Sequence, residues 1–235
     1  MGTEEIRSEI VIWSAQLTSI TEFTDRAVEP AVRGFLHVPA APNGDSLLLT
    51  HGAGANCGSN LLVSLANGFA EAGYTMLRFD LPFRQARPFG PPFPGMAERD
   101  REGIRRAIDL LKQKMGGRIF AGGHSYGGRQ TTMLIAEHPE LVDGLLLLSY
   151  PLHPPRKPEQ LRTAHFPKLT RPALFVHGSR DPFGSAEEMR AALELIPGRH
   201  RLMEVDGAGH ELLPKKATCD LLLEIVKASI EFLSV

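Results

Sequence analysis

The sequence predicts an α/β fold: a mostly parallel, doubly wound sheet with helices on both faces and no large cap domain. Three observations lead to this prediction. Strand-like and helix-like blocks alternate from residue 46 onwards. The block Gly144–Tyr150 (GLLLLSY) is apolar at consecutive positions, which is typical of a strand covered on both faces. The 235 residues suffice for one sizeable domain with a buried core, so we expect a single domain over residues 1–235.

The first 44 residues contain two extended segments, Glu9–Trp13 and Val32–Val38. We expect these two segments to form antiparallel strands at the N-terminal edge of the sheet.

Short apolar segments that end at loop residues predict the parallel part of the sheet. The predicted strands are Ser46–Thr50, Tyr74–Phe79, Arg118–Gly122, Leu141–Tyr150, Ala173–His177 and Arg201–Val205. In sheets of this kind, ligands bind outside the carboxyl ends of the strands. The residues that directly follow each strand are therefore the first candidates for a functional site.

Between the strands, apolar residues recur at helical spacing. A helix over Tyr126–His138 follows the third of these strands, and Ser185 begins another helix with Glu188 three residues on, a capping box. The proline-rich stretch Pro82–Pro94 predicts a loop instead. The apolar stripes of the other helices include Leu62, Leu65, Ala66 and Phe69; Ile104, Ala107, Ile108, Leu111 and Met115; and Leu222, Ile225, Val226, Ile230 and Leu233.

Ser125 lies in a G-x-S-x-G motif, Gly123–Gly127, between a predicted strand and a predicted helix. This is the context of a nucleophile elbow, a sharp turn that presents a serine hydroxyl above the edge of the sheet. Side chains two residues before and after the serine would collide with neighbouring backbone, so both positions require glycine. We predict that Ser125 is a catalytic nucleophile.

A serine hydroxyl needs a base, and the base needs an acid that orients it. Asp181 follows the strand Ala173–His177, and His210 follows the strand Arg201–Val205. The order serine, aspartate, histidine is the order of triads in elbow-bearing α/β enzymes. We predict Asp181 as the acid, ahead of Asp206, and His210 as the base. The other histidines weighed as bases lack the loop position and the acid partner, or belong to the elbow or a strand end; they include His37, His124, His138, His153, His165, His177 and His200.

The transition state of acyl transfer also needs hydrogen-bond donors for its oxyanion. One predicted donor is the backbone N–H of Tyr126, the residue after the nucleophile. The loop after the first parallel strand, His51–Asn56 (HGAGAN), consists mostly of small residues that allow close approach of a ligand. We predict the N–H of Ala53 as the second donor, with that of Gly54 as the alternative.

With elbow, acid, base and oxyanion loop in this order, the chain resembles the α/β-hydrolase superfamily. In particular it is similar to a small, capless, dienelactone-hydrolase-like branch. The shared motifs are Thr50–Gly54 (THGAG), Arg78–Arg84 (RFDLPFR), Gly122–Arg129 (GGHSYGGR), Tyr150–Pro155 (YPLHPP) and His177–Gly184 (HGSRDPFG). The resemblance covers Ser46 to His210 and implies an α/β-hydrolase fold with hydrolase activity.

The resemblance departs from true dienelactone hydrolases, which carry a cysteine nucleophile, because the elbow residue here is Ser125. We therefore expect a serine hydrolase (a carboxylic ester hydrolase) that cleaves a small ester or thioester through an acyl-enzyme. Relatives in eukaryotes include a subunit of a chromatin-acetylating complex, so a non-catalytic interaction module is the alternative. Acyltransferase or peptidase use of the same triad is another.

Two loops are expected to border an open site. The segment Pro151–Pro172 is too short and too rich in proline for a folded cap, and the loop Phe79–Pro94 with Phe83, Phe89 and Phe93 would form a second wall. Arginines such as Arg84 could hold an acidic group of a substrate. The residues assigned to substrate binding are His51, Asn56, Phe83, Arg84, Pro151, Leu152 and Phe183.

Composition excludes several classes of partner. A formal charge of -1 gives no basic surface for nucleic acid or membranes, and the longest apolar run is too short to span a bilayer. The residues show no metal-ligand spacing, no G-x-G-x-x-G after the first strand and no P-loop, so we expect no metal and no cofactor. Two distant cysteines, Cys57 and Cys219, and an N-terminus without a signal-peptide pattern favour a cytoplasmic location. We expect a monomer or a homodimer.

Overall fold

The computed structural model describes residues 19–213 and 219–234, and places eight strands in one sheet. The strands are β1 (Ser19–Asp25), β2 (Val32–Val38), β3 (Ser46–Thr50), β4 (Thr75–Phe79), β5 (Ile119–His124), β6 (Gly144–Leu148), β7 (Ala173–Gly178) and β8 (His200–Val205). Their order across the sheet is β1-β2-β4-β3-β5-β6-β7-β8. The pairs β1–β2 and β2–β4 are antiparallel and all others are parallel. The predicted fold class is confirmed.

Helices pack on both faces of this sheet. They are α1 (Asn60–Glu71), α2 (Pro82–Ala86), α3 (Met96–Lys114), α4 (Tyr126–Glu137), α5 (Ala186–Leu193) and α6 (Cys219–Leu233), with 3₁₀ turns at Pro139–Leu141 and Phe166–Lys168. The predicted capping box at Ser185 is present, with the Ser185 hydroxyl accepting from the Glu188 N–H. Between β6 and β7 the chain forms only the second 3₁₀ turn, so no cap covers the sheet there.

Strand β6 shows why this region of the sequence is continuously apolar. Leu145 and Leu147 pack into the core under α3, α4 and α5, whereas Leu146 and Leu148 pack into the core under α1 and α6. All four side chains are fully buried. Because alternate side chains of a strand point to opposite faces, a strand covered on both sides has no polar face.

The N-terminal edge differs in part from its prediction. Val32–Val38 is a strand as predicted and pairs antiparallel with β4. Its outer partner is Ser19–Asp25, whose side chains are largely exposed. Because these side chains are exposed, the segment lacks the alternation of apolar and polar residues by which a strand is predicted. The other predicted edge strand, Glu9–Trp13, lies outside the described residues.

Two further boundaries correct the sequence prediction. The stretch Pro82–Pro94 is not all loop, because Pro82–Ala86 forms α2. Pro82 occupies the first helical turn, where its missing N–H costs nothing. The strand predicted over Leu141–Tyr150 is shorter, since Pro139–Leu141 is a 3₁₀ turn and pairing begins at Gly144. Leu141 and Val142 are buried without belonging to a strand.

No helix in the described part of the chain combines the length and the apolar character needed to cross a membrane.

Stability is expected to fall as the pH drops from 6.5 towards 4. Burial lowers the pKa of His37, His51 and His165 to about 4. In this window the unfolded chain binds more protons than the folded chain, so each histidine removes up to roughly 1 kcal/mol of unfolding free energy per pH unit. Urea unfolding of wild type and His37→Gln between pH 7 and 4.5 measures this. Gln retains an acceptor for Arg78 Nε, which donates to His37 Nε2 at 2.9 Å. An identical pH slope in the two proteins would contradict the prediction.

Candidate active site

Ser125 occupies a strained turn between β5 and α4. Its backbone has φ 51° and ψ −116°, in a region that L residues rarely adopt. The Ser125 N–H donates to the Leu148 carbonyl at 2.8 Å, which fixes the turn to the neighbouring strand. Strain held in place by surrounding structure is typical of functional positions. The turn places Ser125 at the carboxyl edge of the parallel strands.

The elbow glycines are required by close contact with backbone. A Cβ added at Gly127 would lie 2.6 Å from the His51 carbonyl oxygen. A Cβ at Gly123 would come closer still to the Thr50 carbonyl oxygen. Both clashes involve the end of β3, so the glycines allow the elbow to pack directly against the loop that follows β3.

Gly127→Ala is expected to lower the free energy of unfolding by about 2 kcal/mol or more, because the added methyl group must displace backbone. This loss outweighs the gain in helix propensity that alanine brings. Urea denaturation measures the change. Gly116→Ala is the matched control, since a Cβ there meets no atom within 4 Å and the residue is exposed. Equal stability of the two variants would contradict this account of the elbow.

Ser125, His210 and Asp181 form a hydrogen-bonded row. His210 Nε2 lies 2.8 Å from Ser125 Oγ, and His210 Nδ1 lies 2.8 Å from Asp181 Oδ2. A carboxylate only accepts hydrogen bonds, so Nδ1 carries the proton of a neutral imidazole and Nε2 has the free lone pair. That lone pair accepts the hydrogen bond from the Ser125 hydroxyl. This is the arrangement in which a histidine can remove the proton of a serine.

Asp181 is held in a single orientation. Its side chain is fully buried, and its Oδ1 accepts from the Phe183 N–H at 2.8 Å while Oδ2 accepts from His210. The rival acid, Asp206, is exposed and accepts from the Ser179 hydroxyl instead. Of the two aspartates, the structure therefore places only Asp181 against His210.

His124 supports the loop that carries His210. Its Nε2–H donates to the His210 carbonyl at 2.8 Å, and the two rings lie 5.2 Å apart between centroids. Burial lowers the pKa of His124, which keeps its ring neutral. The contact spans 86 residues of sequence. Sequence reasoning assigned His124 no role, because nothing local indicates a partner so far along the chain.

The loop after β3 runs beside the nucleophile. A Cβ added at Gly52 would lie 3.4 Å from the Cβ of Ser125. The Gly52 carbonyl accepts from His51 Nδ1 at 2.8 Å and from the Ala55 N–H at 3.1 Å, forming a tight turn. Ala53 is half-buried and Gly54 is exposed. The predicted oxyanion loop therefore lies next to Ser125, and Gly52 is a residue of the site that sequence reasoning missed.

The Arg84 side chain is hydrogen-bonded to the backbone of this loop. Its guanidinium donates to the carbonyl oxygens of Ala53 at 2.8 Å and Ala55 at 2.7 Å, and also to those of Arg87 and Gly90. The residue is 4% exposed. We predicted Arg84 as a substrate-binding residue, and the structure instead shows its guanidinium bound to the backbone of the predicted oxyanion loop. Its donors face protein carbonyl groups.

Three other side chains form hydrogen bonds next to the loop after β3. His51 accepts from the Leu81 N–H through Nε2, which leaves the proton on Nδ1 for the Gly52 carbonyl. Tyr126, the first residue of α4, donates its hydroxyl to the buried carboxylate of Asp100 at 2.7 Å. Asp100 also accepts from the Phe83 N–H. Asp100 is a second supporting residue that no local sequence signal identified.

Cys57 is not available as a nucleophile. It is buried, and burial and the nearby Asp80 raise the pKa of its thiol to about 12. A thiol in that state remains protonated at neutral pH, and only the thiolate is strongly nucleophilic. No thiolate at Cys57 therefore competes with the Ser125 hydroxyl.

Of the other predicted substrate-binding residues, two are accessible and four are buried. Phe183 lies against the base, with its ring centroid 4.2 Å from that of His210. Asn56 is exposed, and its side chain accepts from the Gly58 N–H. The rest of the set is buried in the walls around the site: His51, Phe83, Pro151 and Leu152. In the described residues no group of three or more possible ligands is placed to hold a metal ion.

This architecture, a strand–elbow–helix with a serine at the carboxyl edge of a parallel sheet, defines an α/β hydrolase. A family model described as alpha/beta hydrolase domain matches residues 43–233. The chain therefore belongs to the alpha/beta hydrolase domain family, and the predicted membership of the superfamily is confirmed. Family and fold together support hydrolase activity.

Several solved structures have a fold similar to that of this chain. A dienelactone hydrolase from Anabaena variabilis is 21% identical, with a TM-score of 0.73 over 92% of this chain and 97% of that chain. TT1662 from Thermus thermophilus is 22% identical, with a TM-score of 0.72 over 93% and 99%. Est1E from Butyrivibrio proteoclasticus, solved with ferulic acid bound, is 17% identical, with a TM-score of 0.70 over 87% and 97%.

Proposed function

We propose that the chain is a serine hydrolase that cleaves a small carboxylic ester or thioester through an acyl-enzyme. The observation that carries this proposal is the row of two 2.8 Å hydrogen bonds that links Ser125, His210 and Asp181. Each member comes from a different loop at the carboxyl edge of the sheet. A purely structural histidine would not need a nucleophile on one ring nitrogen and a buried carboxylate on the other.

In the first half-reaction Ser125 Oγ attacks the carbonyl carbon, and His210 Nε2 takes the hydroxyl proton. The charged imidazolium is stabilised by Asp181. When the tetrahedral intermediate collapses, the bond to the alcohol or thiol breaks and His210 gives its proton to that leaving group. In the second half-reaction His210 removes a proton from water, which attacks the acyl carbon. The bond from that carbon to Ser125 Oγ then breaks, His210 returns the proton to Oγ, and the acid is released.

The oxyanion is stabilised by backbone donors. Tyr126 is the first residue of α4, and the first N–H groups of a helix have no acceptor within the helix. The second donor in this proposal is the N–H of Ala53, or that of Gly54. Arg84 holds the carbonyl oxygens of Ala53 and Ala55, which prevents this loop from rotating its peptide groups. Loss of one such donor costs about 3–4 kcal/mol of transition-state stabilisation.

The walls of the site favour a small acyl group. Phe183 covers one side of His210, and its N–H also fixes Asp181. The segment that carries Pro151 and Leu152 is tied to it, because the His153 N–H donates to the Phe183 carbonyl at 3.0 Å. An apolar face next to the base suits the carbon chain of a short ester or thioester, and the absence of a cap between β6 and β7 leaves the entrance accessible.

Labelling with a fluorophosphonate tests the proposal, because this probe reacts with activated serines. We expect one adduct by intact mass on the folded protein, mapped to Ser125, and none on heat-unfolded protein. Ser149→Ala is the matched control, since Ser149 also has a positive φ (48°) but is fully buried, and its hydroxyl has no hydrogen-bond partner among the described residues. The control should label like the wild type. No adduct on the folded wild type would refute the proposal and favour an interaction role.

Product analysis follows the labelling. Incubation of an ester panel and a thioester panel in water should release the free acid. Addition of an alcohol acceptor then shows whether the acyl group passes to water or to the alcohol. Predominant release of the acid is the result expected for a hydrolase.

A further inference from the structure

A cleft beside α4 is lined by none of the three residues Ser125, Asp181 and His210. It has a volume of about 290 Å³ and is formed by one face of α4 and the segment 161–168. Three of its lining side chains are cationic, Arg129, Arg162 and Lys168. Among the lining residues that the structure describes, Glu137 is the one carboxylate. The formal balance of the cleft is therefore three positive charges against one negative charge.

These charges have no ion-pair partner in the part of the chain that the structure describes. None of the ion pairs formed within the described residues involves Arg129, Arg162, Lys168 or Glu137. The Nε of Arg129 is buried and has no hydrogen-bond partner among the residues that the structure describes. Buried polar atoms are nearly always hydrogen-bonded in folded proteins. The unused Nε shows that the described residues do not satisfy every donor of this guanidinium, and no carboxylate among them offsets its charge.

The two arginines also repel each other. Burial lowers the pKa of Arg162, and the charge of Arg129 lowers it further. His165, in the same cleft, is neutral at pH 7, since burial and then Arg129 lower its pKa to about 4. Its Nε2–H donates to the Thr132 hydroxyl, which in turn donates to the Arg129 carbonyl. An anion between the guanidinium groups would relieve this repulsion.

The cleft is connected to the active site through backbone. The Arg129 N–H donates to the Ser125 carbonyl at 3.0 Å, one helical turn after the nucleophile. Arg162 donates from its backbone to the Leu152 carbonyl at 2.8 Å and from Nη1 to the Pro151 carbonyl at 3.3 Å. A group bound between these arginines would therefore contact both segments that border the site.

We propose that this cleft binds a phosphate group through Arg129, Arg162 and Lys168. The net charge of the lining matches a phosphate dianion, and guanidinium groups bind phosphate oxygens with paired hydrogen bonds. The phosphate comes either from a separate small molecule or from the far end of the substrate. The second source rests on the proposed ester or thioester hydrolysis, whereas the binding site does not.

Isothermal titration calorimetry with inorganic phosphate tests the site. We expect saturable binding to the wild type, weakened about tenfold or more in Arg129→Gln and in Lys168→Gln. Lys168 is exposed, so its variant is expected to fold. Arg26→Gln removes the same charge from an exposed position outside the cleft and should bind like the wild type. Absence of saturable binding to the wild type, or equal binding by wild type and both cleft variants, would overturn the proposal.

A matched pair of thioesters then identifies the source of the phosphate. S-acetylpantetheine and its phosphate monoester differ only in the phosphate group. A higher kcat/KM for the phosphorylated compound that Arg129→Gln removes would support a phosphate carried by the substrate. Equal kcat/KM values, together with weakened phosphate binding in the variant, would support a separate phosphate ligand. If neither thioester is cleaved, the proposed function fails while the calorimetry still decides the binding site.

Discussion

Ser125→Ala is expected to lower kcat/KM for ester hydrolysis by about 10⁵-fold or more while the protein stays folded. The reason is that neither Cys57 nor Ser149 can replace Oγ. The Cys57 thiol is buried with a raised pKa, and the buried Ser149 hydroxyl has no hydrogen-bonded base among the described residues. In comparable triads, loss of the serine costs about 10⁶-fold in kcat, and the residual rate comes from the remaining binding groups. The measurement is steady-state hydrolysis of a p-nitrophenyl ester over a range of short acyl chains.

The folded state of Ser125→Ala is checked by its melting temperature, because alanine must adopt the same positive φ as serine. Ser149→Ala serves as the activity control and should retain most of the wild-type rate. Undiminished hydrolysis by a folded Ser125→Ala protein would show that the elbow serine is not the nucleophile. Such a result would overturn the proposed mechanism at its first step.

Asp181→Asn is expected to lower kcat by about 10⁴-fold. An asparagine in this position presents an amide that can donate to His210 Nδ1, which favours the tautomer with the proton on Nε2. The Nε2 atom could then no longer accept the proton of Ser125. Because Asp181 is fully buried and asparagine has nearly the same shape, the change acts on the hydrogen-bond pattern more than on packing.

The matched control is Asp206→Asn, which makes the same chemical change at the rival acid. Asp206 is exposed and bonded to Ser179, so its variant should keep most of the activity. The two variants are compared by kcat with a single ester under saturating conditions. If Asp206→Asn lost activity and Asp181→Asn did not, the assignment of the acid would be reversed.

Much of the fold follows from local patterns. The period of apolar residues distinguishes strands from helices, and the apolar run of β6 predicts a strand that is covered twice. Elements that bury little are harder to predict. The edge strand Ser19–Asp25 is largely exposed, and the five-residue helix Pro82–Ala86 is too short to show a helical period. The start of β6 near Leu141 was also predicted wrongly. A buried turn and a buried strand both require apolar residues, so the sequence does not distinguish them there.

The candidate site likewise contains some residues that local sequence patterns predict and others that they do not. Ser125, Asp181 and His210 could be predicted because each follows a strand, and parallel strands bring their carboxyl ends to one edge. Gly52, His124 and Asp100 could not, since each acts on a residue far away in sequence. Arg84 illustrates the difference most clearly. Its charge suggested a substrate contact, whereas its guanidinium binds the carbonyl oxygens of the oxyanion loop.

The amino-acid sequence was sufficient to define the α/β architecture, the strained serine turn and the chain order of its partners. These depend on side-chain periodicity and on glycine positions, which are properties of neighbouring residues. Tertiary structure decided which aspartate meets His210, which groups support the predicted oxyanion loop, and where three cations gather without an ion pair to any described carboxylate. Those outcomes depend on distances between segments that are remote in the chain, and such distances exist only once the sheet and its helices have packed.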